Sequence, residues 1–429
     1  MSDSNPIFAE LFTRGMIENT TNQAAIGQLL AGELVPIYIG FDPTADSLHV
    51  GNLLPIMLLA QLQQAGHIPI VVVGGATGSI GDPSGRNTER QLLSMETIEA
   101  NSQSLKQQLS RCLSFEGKNA AIMVNNADWT KDVTILEFLR DIGKHFTVNS
   151  MLAKESVKRR MQEEDRGITV TEFLYMTLQA FDFLKLYQQY NCLIQAGGND
   201  QLGNIIAGID LIRRKCGGEA HGMTVPLILT SSGEKFGKSA GNAVWLDAQK
   251  TSPYKFYQFW IQTDDKDVER YLKLFTFLSI AEIEQICDRH RACPEQREAQ
   301  TILACKVTTI VHGNEALEQA LQATRVFFGG SIADLSDRYL TEIFDDVPTT
   351  DLPISCLNDT FTIVDLLIAT GLCSSRGESR RSIDNKGVSL NNSLVTSKDL
   401  IIDQTSLISD SLLILRTGKK NYHLVRFKK

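Results

Sequence analysis

The apolar residues of the first 250 positions fall in short, nearly continuous runs rather than in strict alternation. Val35–Phe41, Ile68–Val73, Ala120–Asn125, Cys192–Ala196 and Val225–Leu229 are runs of this kind. They read as strands, and Ile68–Val73, mostly β-branched, suits a strand buried on both faces, with Pro69 tolerable near its start. Leu53–Ala65, ended by Gly66, then Val133–Ile142 and Gln201–Arg214 read as helices between them. Strand–helix alternation predicts an α/β fold with a doubly wound parallel sheet. Ligands of such sheets bind beyond the carboxyl ends of the strands.

From about Ser252 the pattern changes. Tyr254–Trp260, Val268–Leu278, Ile280–His290 and Glu295–Val311 have helical spacing with few strand signals, which predicts a helical domain over 248–344. Residues 345–354 carry acidic residues, prolines and paired threonines and read as a linker. Beyond it, Phe361–Val388 reads as helix, turn, helix and glycine turn, followed by β-like runs at Leu412–Arg416 and Tyr422–Phe427. This predicts a small α+β module over 355–429, after a sheet-containing domain over 1–247.

Composition adds one informative asymmetry. The net charge is −8, unusual for a protein that binds RNA. Ser355–Lys429, however, holds 11 Lys and Arg against 7 Asp and Glu, a net of +4, which leaves −12 on the rest. A basic tail on an acidic body points to local contact with a polyanion. The eight cysteines include no CxxC pair and read as reduced structural thiols, not as a disulfide framework or a metal site. No apolar run is long enough for a bilayer, and the first residues, MSDSNPIFAELFTRG, have no apolar signal core. A cytoplasmic location without membrane contact is expected.

Two short segments carry the chemistry. HVGN at His49–Asn52 lies inside YIGFDPTADSLHVGN, and KFGKS at Lys235–Ser239 lies about 190 residues later. Both, like GGATG and GGND, follow predicted strands, so all four fall at the carboxyl edge of the sheet. The pair resembles the HIGH and KMSKS signatures of class I aminoacyl-tRNA synthetases. GFDPTADSLH (Gly40–His49), GGATGSIGDPSG (Gly74–Gly85), FLYMTLQAFD (Phe173–Asp182) and GGNDQLGN (Gly197–Asn204) narrow the resemblance to tyrosyl-tRNA synthetases of bacterial type, over nearly the whole chain.

The resemblance implies a Rossmann-like catalytic domain with an inserted dimerisation segment, a helical anticodon-binding domain and a ribosomal S-four-type RNA-binding module. It also implies L-tyrosine, ATP with Mg2+ and tRNA(Tyr) as substrates, no organic cofactor, and a homodimer. Activation is attack of an ionised carboxylate on the α-phosphate of ATP. No general base is needed; the protein must align the reactants and stabilise charge. By resemblance, Thr44 and His49 serve the pyrophosphate end of ATP, and Lys235 and Lys238 place point charges on phosphate. Ser239 adds a hydroxyl or shapes the turn. Gly51 and Gly198 let the nucleotide approach, Asp200 meets the ribose hydroxyls, and Asp42 either lines the ATP site or forms an Asp-Pro turn. Asn52 stands where the family usually has His; its amide either donates to the ribose or caps the next helix. Leu202 stands where a large aromatic is usual.

For tyrosine, the resemblance puts Tyr38 and Asp182 on the phenol, Tyr175, Gln179 and Asp82 on the ammonium, and Gln201 at the carboxylate end. The residues themselves add that Tyr175, Gln179 and Asp182 fall at i, i+4 and i+7, one face of a helix. That face is otherwise apolar, so three polar groups there need partners. Arg376, Arg380, Arg381 and Lys386 are the candidate tRNA contacts of the tail, and Lys158–Arg160 is a second basic cluster offset by Glu163–Asp165. A tryptophanyl-type enzyme and a non-catalytic RNA-binding relative are the rival readings.

Overall fold

The computed structural model describes residues 6–82, 93–154, 157–158, 161, 168–231, 233, 236–239, 242–326, 337–344, 347–418 and 421–428. Its central sheet contains β1 (Asn19–Thr20), β2 (Pro36–Phe41), β3 (Ile68–Val73), β4 (Ile122–Asn125), β5 (Ile194–Gly198) and β6 (His221–Val225). Their order across the sheet is β1-β6-β5-β2-β3-β4. The five strands from β2 to β6 pair in parallel, and β1 closes one edge antiparallel to β6. The chain runs outward from β2 through β3 and β4, then restarts at β5 on the other side. The strand order therefore reverses between β2 and β5, which is where a doubly wound sheet opens a crevice.

Burial explains the continuous apolar runs. Ile37, Ile39, Ile70, Val71, Ile194 and Met223 are buried, because helices cover both faces of the sheet. The Leu53–Gln64 helix, which follows HVGN, is apolar on nearly every side and buried along most of its length. A helix without a polar face belongs inside. The Val170–Tyr190 helix starts at a reciprocal cap between Thr169 and Glu172 and ends at Asn191, whose φ of 51° breaks the spiral.

One expected strand is displaced. The apolar stretch Val225–Leu229 holds only the last residue of β6, which begins instead at His221. Pro226 follows, has no N–H for the ladder and ends the strand. Leu227 and Leu229 are exposed.

The chain divides into two compact units, residues 1–251 with 259–311, and residues 252–258 with 312–429. The helices Asp265–Phe275, Ile280–Ala292 and Glu298–His312 lie largely in the first unit, while Asn314–Val326 and Asp337–Ile343 belong to the second. The helical stretch 248–344 is thus shared between them.

The second unit carries a five-stranded sheet in the order β11-β10-β12-β13-β9. Here β9 is Thr349–Pro353, β10 Val388–Leu390, β11 Ser393–Leu394, β12 Leu412–Thr417 and β13 Asn421–Lys428. β9 falls within the expected linker, pairing in parallel with β13 from Leu424↔Thr349 to Lys428↔Pro353. Its polar composition fits an edge strand with alternating exposure. The two expected helices are Ile363–Ala369 and Arg376–Asp384. They pack on the sheet through Ile363, Leu366, Leu367, Ile383, Leu413, Leu415 and Val425.

Candidate active site

The loops that leave β2, β3, β4 and β5 at their carboxyl ends supply most of the polar side chains. The Val170–Tyr190 helix lays a polar stripe across them. Asp182, on that helix, is 4% exposed. One carboxylate oxygen accepts from Asn126 Nδ2 at 2.9 Å, the other from Trp129 Nε1 at 2.8 Å. Burial nevertheless pushes its carboxyl up to about 7, against the pull of those two donors.

Tyr38 comes from the middle of β2 and is 1% exposed, its ring 5.2 Å from that of Phe183. Its hydroxyl is buried with no hydrogen-bond partner among the described residues. Burial, then the neighbouring Asp182 charge, raise its pKa well above the usual phenol value, so the hydroxyl stays a donor. A buried donor without an acceptor is costly, and native proteins seldom keep one without a use.

A second string of contacts leads from this pair toward the crevice. Asn126 Nδ2 also donates to Thr77 Oγ1 at 2.9 Å, and Thr77 Oγ1 donates to Asp42 Oδ1 at 3.3 Å. The Tyr175 hydroxyl donates to the other Asp42 oxygen at 3.4 Å. Further out, Gln179 Nε2 donates to Gln201 Oε1 at 3.2 Å, and Gln201 Nε2 donates to Asp82 Oδ2 at 2.7 Å and Asp200 Oδ2 at 3.2 Å. Asn204 Nδ2 ties both glutamines together, at 3.0 Å and 3.2 Å. Tyr38, Asp42, Asp82, Tyr175, Gln179, Asp182 and Gln201 are therefore brought together around one site. The carboxylates of Asp42 and Asp82 suit an ammonium group, and the floor combines the Tyr38 phenol donor with the Asp182 carboxylate acceptor.

Asp42 belongs to this network at least as much as to a nucleotide site. Its carbonyl also closes a turn to the Thr44 N–H at 2.8 Å. Gly74 passes so close that a Cβ there would lie 2.3 Å from Asp42 Oδ1. Asn126, Trp129, Thr77 and Asn204 were not singled out from the sequence. The available signal for the first two was position: polar residues directly after β4, at the binding edge of the sheet.

The HVGN segment forms a short 3-10 turn, Val50–Asn52, ahead of the buried helix. Asn52 Oδ1 accepts from the His49 N–H at 3.1 Å, so its oxygen pins the loop and its amide nitrogen is the donor end. The cap is thus to His49 and does not compete with a donor role. Gly51 has an observed reason different from nucleotide approach: a Cβ there would sit 2.8 Å from His49 Cε1. Likewise, a Cβ on Gly198 would sit 2.5 Å from Asp200 Oδ1. Both glycines make room for the functional side chain beside them. Thr44 and Asp200 are exposed at the crevice rim.

The second signature meets the first through backbone. Val50 N–H donates to Val244 O at 2.9 Å, and Val244 N–H donates to Gly237 O at 3.0 Å. Lys238 and Ser239 form β7, paired with β8 (Asn242–Ala243), and are described by their backbone only. Lys235 lies outside the described residues, as do Arg159, Arg160 and Glu163–Asp165.

Comparison with known proteins gives the family. Residues 32–329 match the family model of tRNA synthetases class I (W and Y), and residues 339–425 match the tyrosine–tRNA ligase SYY-like C-terminal domain. The chain is 47% identical to tyrosine–tRNA ligase 2 of Enterococcus faecalis, covering 99% of this chain and 100% of the relative. It is 49% identical to the tyrosine–tRNA ligase of Desulfitobacterium hafniense, covering 98% and 99%. The chain belongs to the tyrosyl-tRNA synthetase family. Among solved structures, the C-terminally truncated mitochondrial tyrosyl-tRNA synthetase of Aspergillus nidulans aligns with a TM-score of 0.68 at 32% identity, over 74% of this chain and 93% of that one. The tryptophanyl-tRNA synthetase of Plasmodium falciparum shares the fold, with a TM-score of 0.53 at 13% identity.

In the second unit, Arg376, Arg380, Arg381 and Lys386 are all exposed on or just after the Arg376–Asp384 helix. Arg376 is paired with Asp365 at 2.6 Å, which offsets part of its charge. Arg380, Arg381 and Lys386 are the better phosphate candidates. In the first unit, Lys158 is exposed.

Proposed function

We propose that the protein is a tyrosine–tRNA ligase of the cytoplasm, which forms tyrosyl-adenylate from L-tyrosine and Mg-ATP and then passes tyrosine to the terminal adenosine of tRNA(Tyr). The observation that carries the reading is the buried Tyr38 hydroxyl, without a partner among the described residues, beside the doubly held Asp182. A substrate phenol between them accepts from Tyr38 and donates to Asp182. Phenylalanine in the same place leaves the Tyr38 hydroxyl without an acceptor and gives Asp182 no proton to accept, two hydrogen bonds lost at roughly 1–3 kcal/mol each.

Asp82, Tyr175 and Gln179 hold the substrate ammonium, and Gln201 steers its carboxylate toward the α-phosphate. Thr44, His49, Lys235 and Lys238 stabilise charge on the phosphates. Asp200 and the Asn52 amide hold the ribose. Pyrophosphate exchange into ATP tests the reading: tyrosine supports it, whereas exchange with no amino acid would leave an RNA-binding relative without catalysis.

The homodimer is part of the same proposal. Ile135 and Leu136 are 78% and 79% exposed, and Leu139 and Val148 are exposed nearby. An apolar surface of this kind on the Ile135–Asp141 helix fits a second copy of the chain. Ile135→Glu with Leu136→Glu should sediment as a 47.6 kDa monomer where the unaltered protein sediments at twice that mass. Equal sedimentation of the two proteins would rule the surface out.

A further inference from the structure

The KFGKS segment contains one large apolar side chain, Phe236, between its two lysines in sequence. Phe236 is buried, although Ser231 and Gly233 just before it are exposed. Its ring stacks on Phe275 at 5.4 Å and 13°. Tyr271 lies 4.9 Å away, Phe259 5.5 Å and Trp260 5.6 Å, measured between ring centroids. These four rings also touch one another: Phe259 and Trp260 at 5.3 Å, Trp260 and Phe275 at 5.0 Å, Tyr271 and Phe275 at 5.9 Å. Trp260 and Phe275 are wholly buried. Phe236 therefore enters a preformed aromatic socket.

The next residue is fixed from the other side. Gly237 has a φ of 91° and lies so close to HVGN that a Cβ would be 2.7 Å from Val50 Cγ2 and 3.3 Å from the Gly51 nitrogen. The Phe236 N–H donates to Ile228 O at 3.2 Å, and Gly237 O accepts from Val244. The segment is thus fastened at two adjacent points, by a ring in the socket and by backbone on the first signature. Phe236 is the side chain of the segment that the described structure anchors.

We propose that Phe236 is a positioning residue for adenylate formation, whose ring in the Phe259–Trp260–Tyr271–Phe275 socket sets the reach of Lys235 and Lys238 toward the phosphates. The inference rests on the ligase reading above. It acts through the lysines and not on tyrosine.

The test uses full-length Phe236→Ala and Phe236→Leu. In Phe236→Ala the single-turnover rate of adenylate formation should fall at least 30-fold, while the tyrosine Kd stays within twofold. Tryptic cleavage after Lys235 and Lys238 in the folded protein should quicken at least tenfold. Phe236→Leu should fall between wild type and Phe236→Ala in both respects. If Phe236→Ala does not fold, Phe236→Leu and Phe236→Met decide by the same criteria. Faster cleavage with an unchanged rate would overturn the proposal, as would tyrosine affinity falling in step with the rate. Wild-type protein inactive with tyrosine would instead overturn the ligase reading itself.

Discussion

Asp182→Ala is expected to lower kcat/KM for tyrosine in pyrophosphate exchange by about 100- to 1000-fold, with little change in the KM for ATP. Two losses combine. A hydrogen bond to an ionised group contributes about 1.5–3 kcal/mol, and the substrate phenol left buried without its acceptor adds about 1–3 kcal/mol. Water admitted to the vacated space recovers part of the second loss, which leaves about 3–4 kcal/mol. The same residue sets a pH dependence. Its buried carboxyl is held up to about 7, and the ionised form is the one that accepts the phenol proton. Wild-type kcat/KM for tyrosine should therefore be full well above pH 7 and fall toward tenfold per unit well below it. In the alanine variant that inflection should vanish.

Stability runs the opposite way. The folded protein retains a proton that the unfolded carboxyl, with a value of 3.8, has already released. The group's contribution to stability is thus present below about pH 4 and is lost as pH rises through about 7. Thermal melts of wild type against the alanine variant should diverge over that range, with the variant gaining. A flat activity profile together with parallel melts would show that Asp182 is not the titrating acceptor.

Reversing the charge of Arg380, Arg381 and Lys386 to glutamate should weaken tRNA binding at least 100-fold near 0.1 M salt and leave tyrosine-dependent exchange unchanged. The three side chains are exposed on the second unit and hold none of its core. Their loss therefore costs RNA contact and not folding. Each phosphate contact releases condensed counterion, so log affinity falls with log salt by roughly 0.7–0.9 per contact. Neutralising the three to alanine should flatten that slope by about two to three. Binding isotherms from 50 to 300 mM salt measure it. An unchanged slope and affinity would make this a solvated face and place the tRNA elsewhere.

The parallel sheet was legible because its strands are buried on both faces and so appear as continuous apolar runs. The polar face of the Val170–Tyr190 helix was legible for a related reason: Tyr175, Gln179 and Asp182 interrupt an apolar surface at helical spacing. What failed to show was set by partners distant in sequence. Asn126 and Trp129 matter because 53 to 56 residues later Asp182 turns toward them, which no local pattern records. β9 reads as a linker because its stability comes from pairing with β13 and not from its own propensity. Val225–Leu229 misled for the opposite reason, since its apolar content was strand-like while Pro226 prevented the ladder. The closeness of Gly51 to the His49 ring is likewise a fact of the folded turn that the sequence pattern does not record.

The central claim is that the Tyr38 and Asp182 pair selects a phenol. Parallel pyrophosphate exchange with tyrosine, phenylalanine and tryptophan tests it most directly, using the unaltered protein and comparing kcat/KM. Two lost hydrogen bonds at roughly 1–3 kcal/mol each predict that tyrosine is preferred over phenylalanine by at least about 30-fold, with tryptophan excluded as well. Comparable exchange with tryptophan, or a tyrosine preference over phenylalanine below tenfold, would contradict the account.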